Sequence, residues 1–147
     1  MMKRSKRLQV VLDLAERKRK QAEQLLGQTQ SRVQQGEATL VQLQDYYSDY
    51  ANSFYSAGSE GVTPGQLQTH QAFMQKLRVA VEQQRNALLM DRAQLEKVKE
   101  HWQAAYQHYK SVDTLVEKLK REELLKEEKQ QQKELDERSQ LIRPPFI

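Results

Sequence analysis

Three histidines, one glycine-rich segment and a basic N-terminal stretch are where this sequence could do chemistry. His101 and His108 stand seven residues apart, too far to share a metal on one helical turn, and no H-E-x-x-H run occurs. With no cysteine, neither a thiolate site nor a disulfide can form. The segment "SAGSEGVTPGQLQ", residues 56–68, holds Gly58, Gly61, Gly65 and Pro64. It lacks the lysine and the flanking strand of a phosphate-binding loop. No serine or threonine has a histidine and a carboxylate arranged around it as a base. The expectation is a chain that is not an enzyme and holds no metal or cofactor.

The elements that would position these residues are helices. Charged residues make up 30 % of the 147, and glycine and proline are scarce outside residues 56–68 and the C-terminal tail. Before the glycines, two series repeat every seven residues without a slip: Leu8, Ala15, Ala22, Thr29, Gly36, Leu43, Tyr50 and Leu12, Arg19, Leu26, Val33, Leu40, Tyr47, Phe54. Interleaved, they make a coiled-coil seam, the first series at d and the second at a. After the glycines, Leu67, Met74, Val81, Leu88, Leu95, Trp102, Tyr109 and Val116 continue at a. His70, Leu77, Gln84, Asp91, Val98, Ala105, Val112 and Leu119 continue at d.

The spacing predicts an all-α fold, a long antiparallel two-helix coiled-coil hairpin with the C-terminal helix overhanging. Helix one is expected over about 5–57, a turn over about 58–63, helix two over about 64–141 and a tail over 142–147, all in a single domain. Gly58 suits the left-handed residue that ends the first helix. Thr63, Pro64, Gly65 and Gln66 match a capping box with proline at the first helical position.

Setting Phe54 opposite His70 makes every layer sum to 124 and puts small residues against large ones: Gly36 by Leu88, Ala22 by Trp102, Ala15 by Tyr109. The pairing ends where Leu8 meets Val116. Arg19 lies one turn from the Trp102 layer, where packing is expected rather than a cation–π contact. Beyond Leu119 apolar residues thin to Leu124, Leu125 and Leu135, and Pro144 and Pro145 end the helix.

What remains is surface. In an antiparallel pair the g positions of both helices flank one side of the seam and the e positions the other. The g flank near the turn shows Thr39, Tyr46, Phe73, Ala80 and Ala87, where charge is usual. This apolar stripe either widens the seam or docks a partner. Residues 1–20 carry eight Lys/Arg against Asp13 and Glu16, a local charge of +6. Such an end can meet nucleic acid, acidic lipid or an acidic protein. No apolar run approaches the ~20 residues a bilayer span needs, and no signal peptide is recognisable, so the chain reads as soluble and cytoplasmic.

The "LxxxYYxxY" pattern ending helix one, the short turn, and "HQAFMQKLRVAVEQQR" after it resemble the flagellar export protein family FliJ. The opening "LDLAERKRKQAEQLLG" is similar too, and the likeness covers nearly the whole chain. The resemblance implies an antiparallel coiled coil similar to the γ-subunit stalk of rotary ATPases. It implies a non-catalytic stalk and adaptor of the flagellar type III export apparatus at the cytoplasmic face of the inner membrane. The implied partners are the export ATPase ring (FliI), the membrane export-gate protein (FlhA) and export chaperones, with membrane association through protein partners only.

The family's gate-binding surface looks carried by Leu43, Tyr46, Tyr50, Phe73, Leu77 and Ala80, while Thr39 and Gln84 depart from the polar residues the family has there. The helix ends rather than the turn would face the ATPase, which here means Arg17, Lys18 and Lys20 together with Leu124 and Leu125. Two other readings stay open. One is a generic cytoplasmic scaffold that dimerises through its seam or stripe. The other is an RNA-binding arm using residues 3–20, although nucleic acid is not the expected partner.

Overall fold

The computed structural model describes residues 3–58 and 60–142. Two helices account for nearly all of them: α1, Arg4–Gly58, and α2, Pro64–Ile142. Ala, Leu, Gln, Glu, Lys and Arg dominate both, residues that lose little side-chain freedom in a helix. The helices pair antiparallel, as the heptads predict. The rest of the expected tail, with Pro144 and Pro145, lies outside the described residues.

The chain divides into two compact units, residues 22–102 and residues 1–21 with 103–147. The unit of residues 22–102 contains the turn. Its α1 ends on 3.2 Å bonds from the Glu60 amide to the Ala57 carbonyl and from the Gly61 amide to the Gly58 carbonyl. The left-handed residue is Gly61, at φ 99°, and not Gly58, which is still helical. An L side chain rarely adopts such a φ, so glycine is required there. The capping box forms: the Gln66 amide donates to Thr63 Oγ1 at 3.2 Å, and the Thr63 amide donates to Gln66 Oε1 at 3.0 Å.

The seam of this unit follows the predicted register. Phe54 stacks on His70 with ring centroids 3.6 Å apart. Ala22, Val33, Met74, Leu77, Leu88 and Val98 are buried, each contributing up to about 1.5–3 kcal/mol for the larger side chains. Two of the polar interruptions are hydrogen-bonded to backbone carbonyls. The Thr29 hydroxyl donates to the Leu25 carbonyl at 2.8 Å, and Gln84 Nε2 donates to the Gly36 carbonyl at 3.1 Å. Leu67, assigned to the seam, is 44 % exposed.

In the unit of residues 1–21 and 103–147, Leu12, Ala15, Val116 and Leu119 form the buried seam. Arg19 makes a cation–π contact with a ring the sequence reading did not consider, its guanidinium carbon lying 4.9 Å from the centre of the Tyr109 ring. The pairing also runs further than Leu8 and Val116. The Ser5 hydroxyl and amide donate to the two carboxylate oxygens of Glu123 at 2.6 and 3.1 Å, and Lys3 pairs with Glu127. Beyond that, residues 128–141 are exposed on all sides, an overhang steadied by Gln130–Glu134 and Gln132–Asp136 side-chain bonds.

Candidate protein-docking surface

The residues expected to dock the export gate lie in the unit of residues 22–102 and share one stretch of the antiparallel pair. Helical spacing from Thr39 to Tyr50 lays out four α1 members one turn apart, opposite Phe73 to Gln84 of α2. An aromatic cluster joins the two strings. Tyr50 lies 4.5 Å from Phe73 and 5.2 Å from His70 between ring centroids, and Tyr46 meets Phe73 edge-on at 6.2 Å. With Phe54 beyond His70, five rings run in contact from the seam out to the g flank. Such pairs contribute about 0.5–1.5 kcal/mol each beyond their buried area.

The eight expected residues do not share one environment. Tyr46 is 55 % exposed and Thr39 is exposed, so both are open to a partner. Leu43, Tyr50, Phe73 and Ala80 are half-buried. Leu77 is only 8 % exposed and belongs to the core, while Gln84 is occupied by the Gly36 carbonyl. The surface is thus a thin aromatic edge, Tyr46 and the rim of Phe73, standing on rings that fix its position. One atom within the cluster, His70 Nδ1, is buried without a hydrogen-bond partner.

The e flank of the same unit carries contacts that the apolar pattern does not signal. Arg78 donates to the Tyr47 hydroxyl at 3.2 Å, and Arg92 pairs with Glu37 at 3.2 Å. A groove lined by Gln44, Tyr47, Arg78, Val81, Arg85 and Leu89 runs between them. Arg78, Arg85 and Arg92 repeat every seven residues at e, which is the signal that could have found them.

The residues expected to meet the ATPase all lie in the other unit and are exposed, Leu124 at 56 % and Leu125 at 57 %. They form two groups rather than one. Arg17, Lys18 and Lys20 sit at the level of Tyr109, through their neighbour Arg19, whereas Leu124 and Leu125 adjoin Glu123 beside Ser5. The fifteen residues from Tyr109 to Leu124 span about 22 Å of helix. Lys20 is also engaged by Glu16 at 3.4 Å.

The Ser5–Glu123 and Lys3–Glu127 contacts are polar closures of this unit that sequence reasoning missed. Hydrogen bonds from the Ser5 hydroxyl, then from its amide, hold the Glu123 carboxyl below the usual carboxylate range. A hydrogen bond from Lys3 to Glu127 raises the Lys3 ammonium above its ordinary value. Both Ser5 and Glu123 continue the a series by one heptad, so the position was readable although the polar residue types hid it.

Among the described residues no three His, Asp or Glu side chains gather to hold a metal. Among the described residues no helix is long and apolar enough to cross a membrane.

Comparison with known proteins agrees in extent with the helical pair. The profile of the family described as "FliJ: Flagellar FliJ protein" matches residues 4–142. The chain is 32 % identical over 133 residues to a flagellar FliJ protein of Escherichia coli (strain K12), covering 90 % of each. It is 29 % identical over 133 residues to one of Salmonella typhi, again covering 90 % of each. No solved structure matches the chain.

Proposed function

The chain belongs to the flagellar FliJ protein family, and on that premise we propose that it serves as a non-catalytic stalk and adaptor of the flagellar export apparatus. In this reading its aromatic edge binds the membrane export-gate protein. Its other unit engages the export ATPase ring through Arg17, Lys18, Lys20, Leu124 and Leu125, and the chain assists delivery of chaperone-bound substrates. It works at the cytoplasmic face of the inner membrane.

The observation that carries the reading is the position of Tyr46. It is an aromatic ring more than half exposed where a coiled coil ordinarily places charge, held edge-on by Phe73. Exposed aromatic anchors on a rigid support dominate binding energy at protein interfaces. The exposed Leu124 and Leu125, next to Glu123, supply a second apolar contact.

The test is affinity for the purified cytoplasmic domain of the gate protein. Tyr46→Ala is expected to weaken it by about 1 kcal/mol or more, roughly a fivefold change. Helix content should stay unchanged, because the ring contributes little to the seam. Unchanged affinity would remove the gate-binding role from this edge.

A further inference from the structure

We propose that the g flank of the unit formed by residues 1–21 and 103–147 binds directly to an anionic lipid bilayer. Three aliphatic side chains stand exposed on it, Val11 at 41 %, Leu14 at 50 % and Leu115 at 40 %. Val11 and Leu115 hold g positions and Leu14 the adjoining c position. None is needed by the seam, which Leu12, Ala15, Val116 and Leu119 fill.

Charge on this flank is one-sided. Arg4, Arg7, Lys18 and Lys118, all exposed, stand against the single carboxylate of Glu122, a net +3. None of the four is engaged by a carboxylate among the described residues. On the opposite flank Asp13, Glu16, Asp113 and Glu117 cancel the lysines. The asymmetry therefore points to an acidic surface met from the g side only. Long basic side chains suit this, since they lie along apolar material while their heads reach the phosphates.

The occupant follows from the apolar component. Single-stranded nucleic acid binds by stacking bases on aromatic rings, and these three side chains are aliphatic. A groove in a protein partner receives one helical ridge, whereas here the aliphatic residues come from both helices, side by side. A bilayer accepts such a broad face and seats aliphatic side chains at the headgroup boundary. Each cation near an anionic membrane adds about a fivefold preference, so a net +3 gives binding that is reversible and steeply salt-dependent. Lys18 is shared with the ATPase-facing set, but Val11, Leu14 and Leu115 are not, so the aliphatic three separate the two interactions.

Flotation of the full-length chain with vesicles tests the proposal. At low salt it should float with phosphatidylserine-containing vesicles and not with pure phosphatidylcholine. Val11→Asp with Leu14→Asp should weaken flotation about tenfold or more, and so should Leu115→Asp on the other helix, each with unchanged circular dichroism. Val79→Asp, at a similarly exposed aliphatic residue in the other unit, should have no effect. Equal flotation with both lipids, or phosphatidylserine binding that survives Val11→Asp, Leu14→Asp and Leu115→Asp, would overturn the proposal. Displacement of the vesicles by stoichiometric transfer RNA would do so too.

Discussion

The Cβ that Gly36 lacks would stand 3.1 Å from Cδ1 of Leu88, a residue only 2 % exposed, so at this layer the helices come too close for a larger side chain without movement. Gly27, nine residues earlier on the same helix, has nothing within 4 Å of its missing Cβ. Gly27→Ala is therefore expected to stabilise the chain by about 1 kcal/mol, the helix-propensity difference. Gly36→Ala should gain clearly less or lose stability, because the same propensity is offset by crowding against Leu88. Equal gains in thermal melts would show that the helices part easily there.

Acid should loosen the unit that Ser5 closes. The folded-state pKa of Glu123 is depressed by the Ser5 hydrogen bonds. A carboxyl depressed in this way contributes stability that is complete above its unfolded value of about 4.5 and is lost as pH falls through the folded value. Lys3, raised by Glu127, contributes below its unfolded value and loses it only as pH climbs past 10.5. The two contributions are thus both present at neutral pH. Ser5→Ala should lower the melting temperature at pH 7 and diminish its fall between pH 5 and 3. An undiminished fall would locate the acid sensitivity in other carboxylates.

Phe73 and Tyr46 should separate binding from folding. Phe73 touches both Tyr46 and Tyr50 and is half-buried, so Phe73→Ala is expected to lose stability as well as gate affinity. Tyr46→Ala should lose affinity with little change in melting temperature. If both variants lose stability and neither loses affinity, the cluster is only packing.

Leu124 and Leu125 offer a cleaner test of ATPase engagement than a large truncation. Deleting residues from 121 onward would remove Glu123 and Glu127, the partners of Ser5 and Lys3. Leu124→Ser with Leu125→Ser leaves both in place. It should weaken binding to the export ATPase about tenfold while preserving helix content and gate binding. Undiminished binding would exclude these leucines from the contact.

Most of the fold was legible because the seam repeats without a slip and its small residues fall opposite large ones. The Gly36–Leu88 and Phe54–His70 layers needed nothing beyond heptad arithmetic. The left-handed turn residue was not legible: Gly58 and Gly61 are equally permissive, and hydrogen bonds decide which of them turns. The candidate surface was readable as a stripe but not as an exposure pattern. Leu77 at d is core and Tyr46 at g is open, as their heptad positions imply, but how far Tyr50 and Phe73 are covered depends on the ring contacts. Ser5 and Glu123 were hidden because polar residues at a positions erase the apolar signal that marks a seam.

The turn has a kinetic consequence. Cross-helix hydrogen bonds grow steadily longer-range away from Gly61: 31 residues for Arg78–Tyr47, 48 for Gln84–Gly36, 55 for Arg92–Glu37 and 118 for Ser5–Glu123. Once the capped turn exists, each further layer closes only a short length of new chain, so little additional loop entropy is lost at any step. Within the unit of residues 22–102 the pair should zip from the turn outward, and the Ser5–Glu123 contact, 118 residues apart in sequence, should form late. A strained substitution at the turn, Gly61→Ala, should then slow refolding with little change in the unfolding rate. Ser5→Ala should speed unfolding and leave refolding alone. Stopped-flow traces with the opposite assignment would place the nucleus away from the turn.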